Sequence, residues 1–235
     1  MPAHRAVIES IDGSGKSTAA LGAAEVLSGE YAHSSISVVD STGVYRFQAG
    51  EMVSRGWSNI ENFEPHQAVS KLAAAAKLGI FTVARRAAES LATRTSDVVI
   101  GVRDPYRIDP ATYSLVFGPA LVNKMSSDAR LKLFNSFTLA PHPEMIVHLQ
   151  SRPEDARLVA GQNGLLDSHE TPENLRIIAE DLPMVLEGYK RLYGSRLCEV
   201  EALQPATSQE VAAQIEQLMP SRRTAVFIPD LSQAA

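Results

Sequence analysis

This chain offers little for covalent cross-linking, membrane insertion or nucleic-acid binding. Its 235 residues include one cysteine, Cys198, so no internal disulfide can form, which fits a reducing compartment. Cys198 itself reads as a small buried apolar residue. No apolar run approaches the ~20 residues that a membrane-spanning helix needs. The first apolar stretch leads straight into a glycine-rich loop and so does not read as a cleavable leader. These absences point to a cytoplasmic protein. Basic residues are not in excess, with 22 Lys and Arg against 27 Asp and Glu and a net charge of −5. The basic footprint of a nucleic-acid binder is therefore missing, whereas a small phosphorylated ligand needs only a local pocket. Repeats and low-complexity linkers are absent as well. One sizeable core suits a chain of this length. A single domain is expected over 1–219, with 220–235 as a C-terminal extension that has no place in the pattern.

What is present is an alternation of short apolar runs and longer helical patterns, the signature of a parallel sheet covered by helices. Strands are expected at Ala6–Ile11, Ser35–Asp40, Asp97–Val102, Met145–Leu149 and, more weakly, Glu199–Leu203. The fold class predicted is α/β, a five-stranded parallel sheet with helices on both faces. Helical patterns run from Lys16 to Leu27, from Pro65 to Thr93, and over Pro110–Val122, Ser127–Phe137, Pro153–Ala160, Pro172–Tyr193 and Ser208–Leu218, several opened by proline as first helical turns are. The long helix carries Ala73 to Ala76, which favours helix by intrinsic propensity and lets another helix approach closely.

Chemistry concentrates between the first strand and the first helix. The segment Ser10-Ile11-Asp12-Gly13-Ser14-Gly15-Lys16-Ser17-Thr18 has the context in which a glycine-rich loop turns its backbone N–H groups around phosphate oxygens. Gly13 and Gly15 permit the close approach, Lys16 reaches the terminal phosphates, and Ser17 supplies a hydroxyl to Mg²⁺. Asp12 lies where it can meet the transferring phosphate or its metal, although aspartate also supports tight turns. The strict pattern has glycine where this chain has Ser10. The expected ligand is a nucleoside triphosphate, ATP, with Mg²⁺.

Together, Glu9 and Asp12 to Thr18 resemble the opening of thymidylate kinases, a family of P-loop nucleoside-monophosphate kinases. Asp104-Pro105-Tyr106 with Asp109 and Tyr113, then Pro143 to Leu149 followed by Arg152 to Ala156, and finally Leu166-Asp167-Ser168-His169-Glu170, are similar to later blocks of that family. The resemblance spans Val7 to about Tyr193. It implies a three-layer P-loop kinase fold, a donor on the glycine-rich loop, a small nucleotide acceptor opposite, a lid near 158–172, and pairing of the alanine-rich helix in a homodimer. It also implies that Asp104, at a strand's carboxyl end, orients Mg²⁺ or the acceptor together with Asp12.

The departures from the family fall on its cations. Arginine of its Asp-Arg-Tyr block has become Pro105, and after the second strand Asp40-Ser41-Thr42-Gly43-Val44-Tyr45-Arg46 stands in place of the family's acceptor-facing Arg-Glu-Pro-Gly-Gly-Thr loop. The aligned lid, Leu158 to Glu170, holds no arginine or lysine, and Ser168 stands where one is expected. An inserted arginine can be worth ~10³–10⁵ in phosphoryl-transfer rate. Arg46, Arg103 and Arg157 are the candidate catalytic replacements, and Arg85 and Arg86 are further candidates on the long helix. Three readings stay open. The chain transfers phosphate to thymidylate or a related or modified nucleotide, or it acts on another small acceptor such as a nucleoside, or it binds a nucleotide with little or no turnover.

Overall fold

Short β-branched runs become strands and alanine-rich stretches become helices, in alternation through most of the chain. The computed structural model describes residues 3–11, 13–40, 42–56, 71–102, 125–126, 128–129, 132, 142–152, 154–156, 172–202 and 207–219. Its elements are β1 (His4–Glu9), α1 (Lys16–Glu30), β2 (Ile36–Asp40), β3 (Gly43–Gln48), β4 (Glu51–Gly56), α2 (Lys71–Thr95), β5 (Val98–Val102), β6 (Met145–Gln150), α3 (Pro172–Tyr193), β7 (Arg196–Glu201) and α4 (Thr207–Ile215), closed by a 3₁₀ turn at Glu216–Leu218.

The sheet is seven-stranded and mixed, in the order β4-β3-β2-β5-β1-β6-β7. Parallel ladders join β2 to β5, β5 to β1, β1 to β6 and β6 to β7, whereas β3 pairs antiparallel with β2 and β4 pairs antiparallel with β3. This corrects the expected five-stranded, all-parallel sheet, and with it the three-layer P-loop kinase fold drawn from the resemblance. The residues after β2, matched to an acceptor-facing loop, instead continue the sheet as a hairpin. Their own chemistry explains it. Val44 enters the core beside α2 while Tyr45 and Phe47 enter the core beside α1, an alternation of period two that fits a strand. Ala49 and Gly50 both take positive φ, 52° and 79°, as a two-residue hairpin turn requires. Gly50 also lets the hairpin tip dock on α1. A Cβ there would lie 3.4 Å from the Gly29 Cα, and the Gly50 N–H donates to Ser28 Oγ at 3.2 Å.

Boundaries moved at two other strands. The first strand ends at Glu9, before Ser10 turns into the loop, and the last runs Arg196–Glu201 instead of Glu199–Leu203. Its burial alternates, with Cys198 and Val200 inward and charged residues outward, as at the edge of a sheet.

Helices cover both faces. Ala19, Ala20, Ala23, Ala24 and Leu27 of α1 recur at helical spacing and pack with Val211, Ala212 and Ile215 of α4 on one face, over Ala6, Ile8, Val38, Ile100 and Val147. The small side chains allow close contact: a Cβ on Gly22 would come 2.5 Å from Ser208 Oγ. On the other face, Ala88 and Ala92 of α2 pack on Val39, Val44 and Val99. The long alanine-rich helix therefore packs on its own sheet. Among the described residues, no helix is long and apolar enough to cross a membrane.

Candidate phosphate-binding site

The Ser10–Thr18 loop joins the carboxyl end of β1 to the amino end of α1. Ser10 Oγ donates to the Leu149 carbonyl at 2.6 Å, one step beyond the last β1–β6 pair, Glu9↔His148. The hydroxyl thus holds the ends of β1 and β6 together where the strict motif has glycine. Ile11 is buried against Ala156 and Ile178, which anchors the loop's first turn on α3 and on the helical turn at 154–156.

Gly13 and Gly15 have φ of 76° and 81°, a left-handed conformation that residues with a Cβ adopt only at a cost. Gly15 is the N-cap of α1, and among the described residues no side chain caps that end. The first turn also lacks an acidic residue. The N–H groups of Lys16, Ser17 and Thr18 precede the first helical bond, Ala19 N–H to Gly15 carbonyl at 2.9 Å. They are helix-start donors of the kind that bind anions, with the positive end of the helix dipole behind them.

Two side chains complete the loop. Lys16 is buried and its Nζ donates to the Ile11 carbonyl at 2.5 Å, so its ammonium is folded over the loop. Ser14 Oγ is buried and has no hydrogen-bond partner among the described residues. Buried hydroxyls are normally satisfied, so one left open just before the helix-start donors fits a site that an oxyanion completes. Ser17 is half-buried and Thr18 exposed. Among the described residues, no group of three His, Cys, Asp or Glu side chains could hold a metal ion. A Mg²⁺ site here would rest on the Ser17 hydroxyl and on phosphate oxygens, in keeping with that ion's preference for few protein ligands.

The remaining site residues from the sequence separate. Asp12, Arg103, Asp104 and Arg157 lie outside the described residues, as do 220–235 and the lid up to 171. Ala156, the chain neighbour of Arg157, packs on Ile11. Arg46 is not brought to the loop. It pairs with Ser37 on β2, Ser37 with Val99 and Val99 with Arg5, four residues before Glu9 and three strands from β1. At ~3.3 Å per residue and ~4.8 Å per strand, that is on the order of 20 Å from the loop, beyond the reach of an arginine side chain.

Arg85 has a different place from a solvent-facing helix charge. Arg5, Arg85 and Glu89 are each about 2% exposed and meet on the α2 face of the sheet. Glu89 Oε1 accepts from Arg5 Nη2 at 3.1 Å and from Arg85 Nε at 3.3 Å. Arg85 Nη2 also donates to the carbonyls of Val39, at 2.8 Å, and Val102, at 3.1 Å. Burial alone would push the Glu89 carboxyl up, but Arg5 and then Arg85 outweigh it by charge and by hydrogen bonding and hold the group below its ordinary value. The sequence reading missed this triad. Its signals were an arginine inside an apolar strand and an Arg-Glu pair four residues apart on the face that Ala88 and Ala92 mark as inward.

Comparison with models of known protein families and with curated proteins finds no match.

Proposed function

We propose that the chain uses ATP and Mg²⁺ to transfer a phosphoryl group to a nucleoside monophosphate, thymidylate or a related or modified nucleotide. The observation that carries this reading is the loop itself. Two left-handed glycines, an uncapped helix start, a folded-over Lys16 and the orphaned Ser14 Oγ together make a cradle for triphosphate oxygens. In this reading the N–H groups of residues 15–18 and the Ser14 hydroxyl grip the donor, and Lys16 swings from the Ile11 carbonyl to the terminal phosphates. Ser17 would hold Mg²⁺, whose positive charge would offset the charge that develops on the phosphates. The γ-phosphorus exchanges its bond to the β,γ-bridging oxygen for one to an acceptor phosphate oxygen, and ADP leaves. Such a step needs positioning and cations more than covalent help. Asp12 and Asp104 are assigned to orienting the metal or acceptor, and Arg103 and Arg157 to the missing lid cations. The reaction belongs in the cytoplasm.

A coupled ADP-release assay across thymidylate, the other monophosphates and free nucleosides tests this. Acceptor-dependent ADP is expected with a monophosphate; ADP only with nucleosides would overturn that assignment. A second reading, nucleotide binding with little turnover, is favoured by the placement of Arg46 away from the loop. Tight ATP binding with silence from every acceptor would establish it.

We also propose a homodimer through α2. Opposite its sheet-facing side, Leu72, Ala76, Ile80, Val83, Ala87 and Leu91 are all exposed at helical spacing, and Val83 is 70% exposed. Sedimentation velocity should show a dimer at micromolar concentration, and Val83→Asp should dissociate it. A monomeric wild type would refute this pairing.

A further inference from the structure

Ser10 Oγ ties the end of β1 to the Leu149 carbonyl of β6, and on the other side of β1 the neighbouring strand ends are those of β5 and then β2. In open α/β sheets, ligands lodge in crevices beyond the carboxyl ends of strands. The last residues paired between β2 and β5 are Val39↔Gly101. Beyond that pair the two strands no longer pair with each other: Asp40 pairs with Gly43 of β3 and Val102 with Ile8 of β1.

Arg85 sits at that fork. Its Nη2 bridges the Val39 and Val102 carbonyls, while its Nε holds Glu89, which Arg5 also grips. A Cβ on Gly101 would sit a tight 3.3 Å from Val7 Cγ2 and in ordinary contact, 3.7 Å, with Arg85 Nη2. A donor shared by two strand ends fixes their separation where the ladder no longer does. The planar fork reaches the carbonyls and the carboxylate at once, which the single ammonium of lysine does not.

We infer that Arg85 is a positioning residue, a clamp that sets the strand ends flanking the phosphate loop and thereby the acceptor's place. The clamp rests on the geometry; its effect on the acceptor rests on the phosphotransfer reading proposed above.

The test compares the full-length wild type with Arg85→Lys and Arg85→Met, using thymidylate as the probe acceptor. Lysine keeps a positive charge beside Glu89, so Arg85→Lys should recover most of the thermal midpoint that Arg85→Met loses. It should nevertheless raise the thymidylate KM by roughly tenfold or more while the MgATP KM stays near wild type. Amide hydrogen exchange should accelerate at residues 39–44 and 98–102 in both variants, and not in α1 or β6. Arg85→Lys restoring the thymidylate KM together with the midpoint would reduce Arg85 to a structural ion-pair partner and overturn the inference. If the wild type transfers nothing to thymidylate, the acceptor reading fails by itself. Exchange then decides the clamp: local acceleration at the two strand ends upholds it, and unchanged or uniformly raised exchange refutes it.

Discussion

Lys16→Met should abolish measurable transfer from MgATP, by a factor of at least roughly 10²–10³, the usual cost of removing one preorganised electrostatic partner of a transition state. The loop's N–H donors, Gly13, Gly15 and Ser14 stay in place, so the loss falls on the charge that follows the terminal phosphates. Stability should move differently. Without nucleotide, the Lys16 ammonium is buried over the loop and donates to Ile11, and methionine fills similar volume without a charge to desolvate. The thermal midpoint of the nucleotide-free variant should therefore be preserved, within about 1 kcal/mol of stability. The midpoint rise on adding MgATP, worth ~2.7 kcal/mol at a hundredfold excess over Kd, should largely vanish. Differential scanning fluorimetry with and without MgATP, beside the ADP-release assay, checks both halves. A variant that turns over at the wild-type rate would remove Lys16 from the site.

Glu89→Leu should cost about 3–5 kcal/mol, the penalty for breaking a buried ion pair by removing one partner. Burial of Arg5 and Arg85 is compatible with the apolar α2 face because Glu89 accepts from both. Leucine would leave two guanidiniums beside each other without that carboxylate. Urea unfolding at pH 7 measures the loss, and a change under about 1 kcal/mol would show that the triad is not a keystone of this face. The same carboxyl has a pH signature. Arg5 and Arg85 hold its folded pKa below the ordinary carboxyl value of 4.5. Its contribution is then fully present above about 4.5 and is lost as pH falls through the lowered folded value. Wild-type stability should fall in that acid window, and Glu89→Gln should lose this part of the pH dependence.

How far residues foretell structure here depends on the kind of signal each carries. β5, buried on both faces, reads as a strand because Val98 to Val102 is apolar throughout, and α1 starts at Lys16 because the glycine-rich loop can end only in a helix or a turn. The β3–β4 hairpin was hidden by its neighbourhood. Gly43 to Gln48 alternates as a strand should, but its position after β2 invited reading it as a substituted loop. Arg46 was misplaced with it: as a loop residue it could face the phosphates, and as a strand residue it is fixed by register at Ser37. The Arg5–Arg85–Glu89 triad escaped for a different reason. Arg5 lies 84 residues from Glu89 in sequence, and only the sheet brings β1 beneath α2. Sequence periodicity marks which face of a helix is inward, and a charge on such a face signals a partner without naming it.

Phosphoryl transfer at the loop after β1, as proposed, is tested most directly by following the γ-phosphate itself. Full-length protein incubated with γ-³²P-labelled ATP, Mg²⁺ and thymidylate should yield a labelled nucleoside diphosphate, separable by thin-layer chromatography, and Lys16→Met should yield none. Label that stays on ATP with thymidylate and every other monophosphate, in protein shown to bind ATP, would contradict the account.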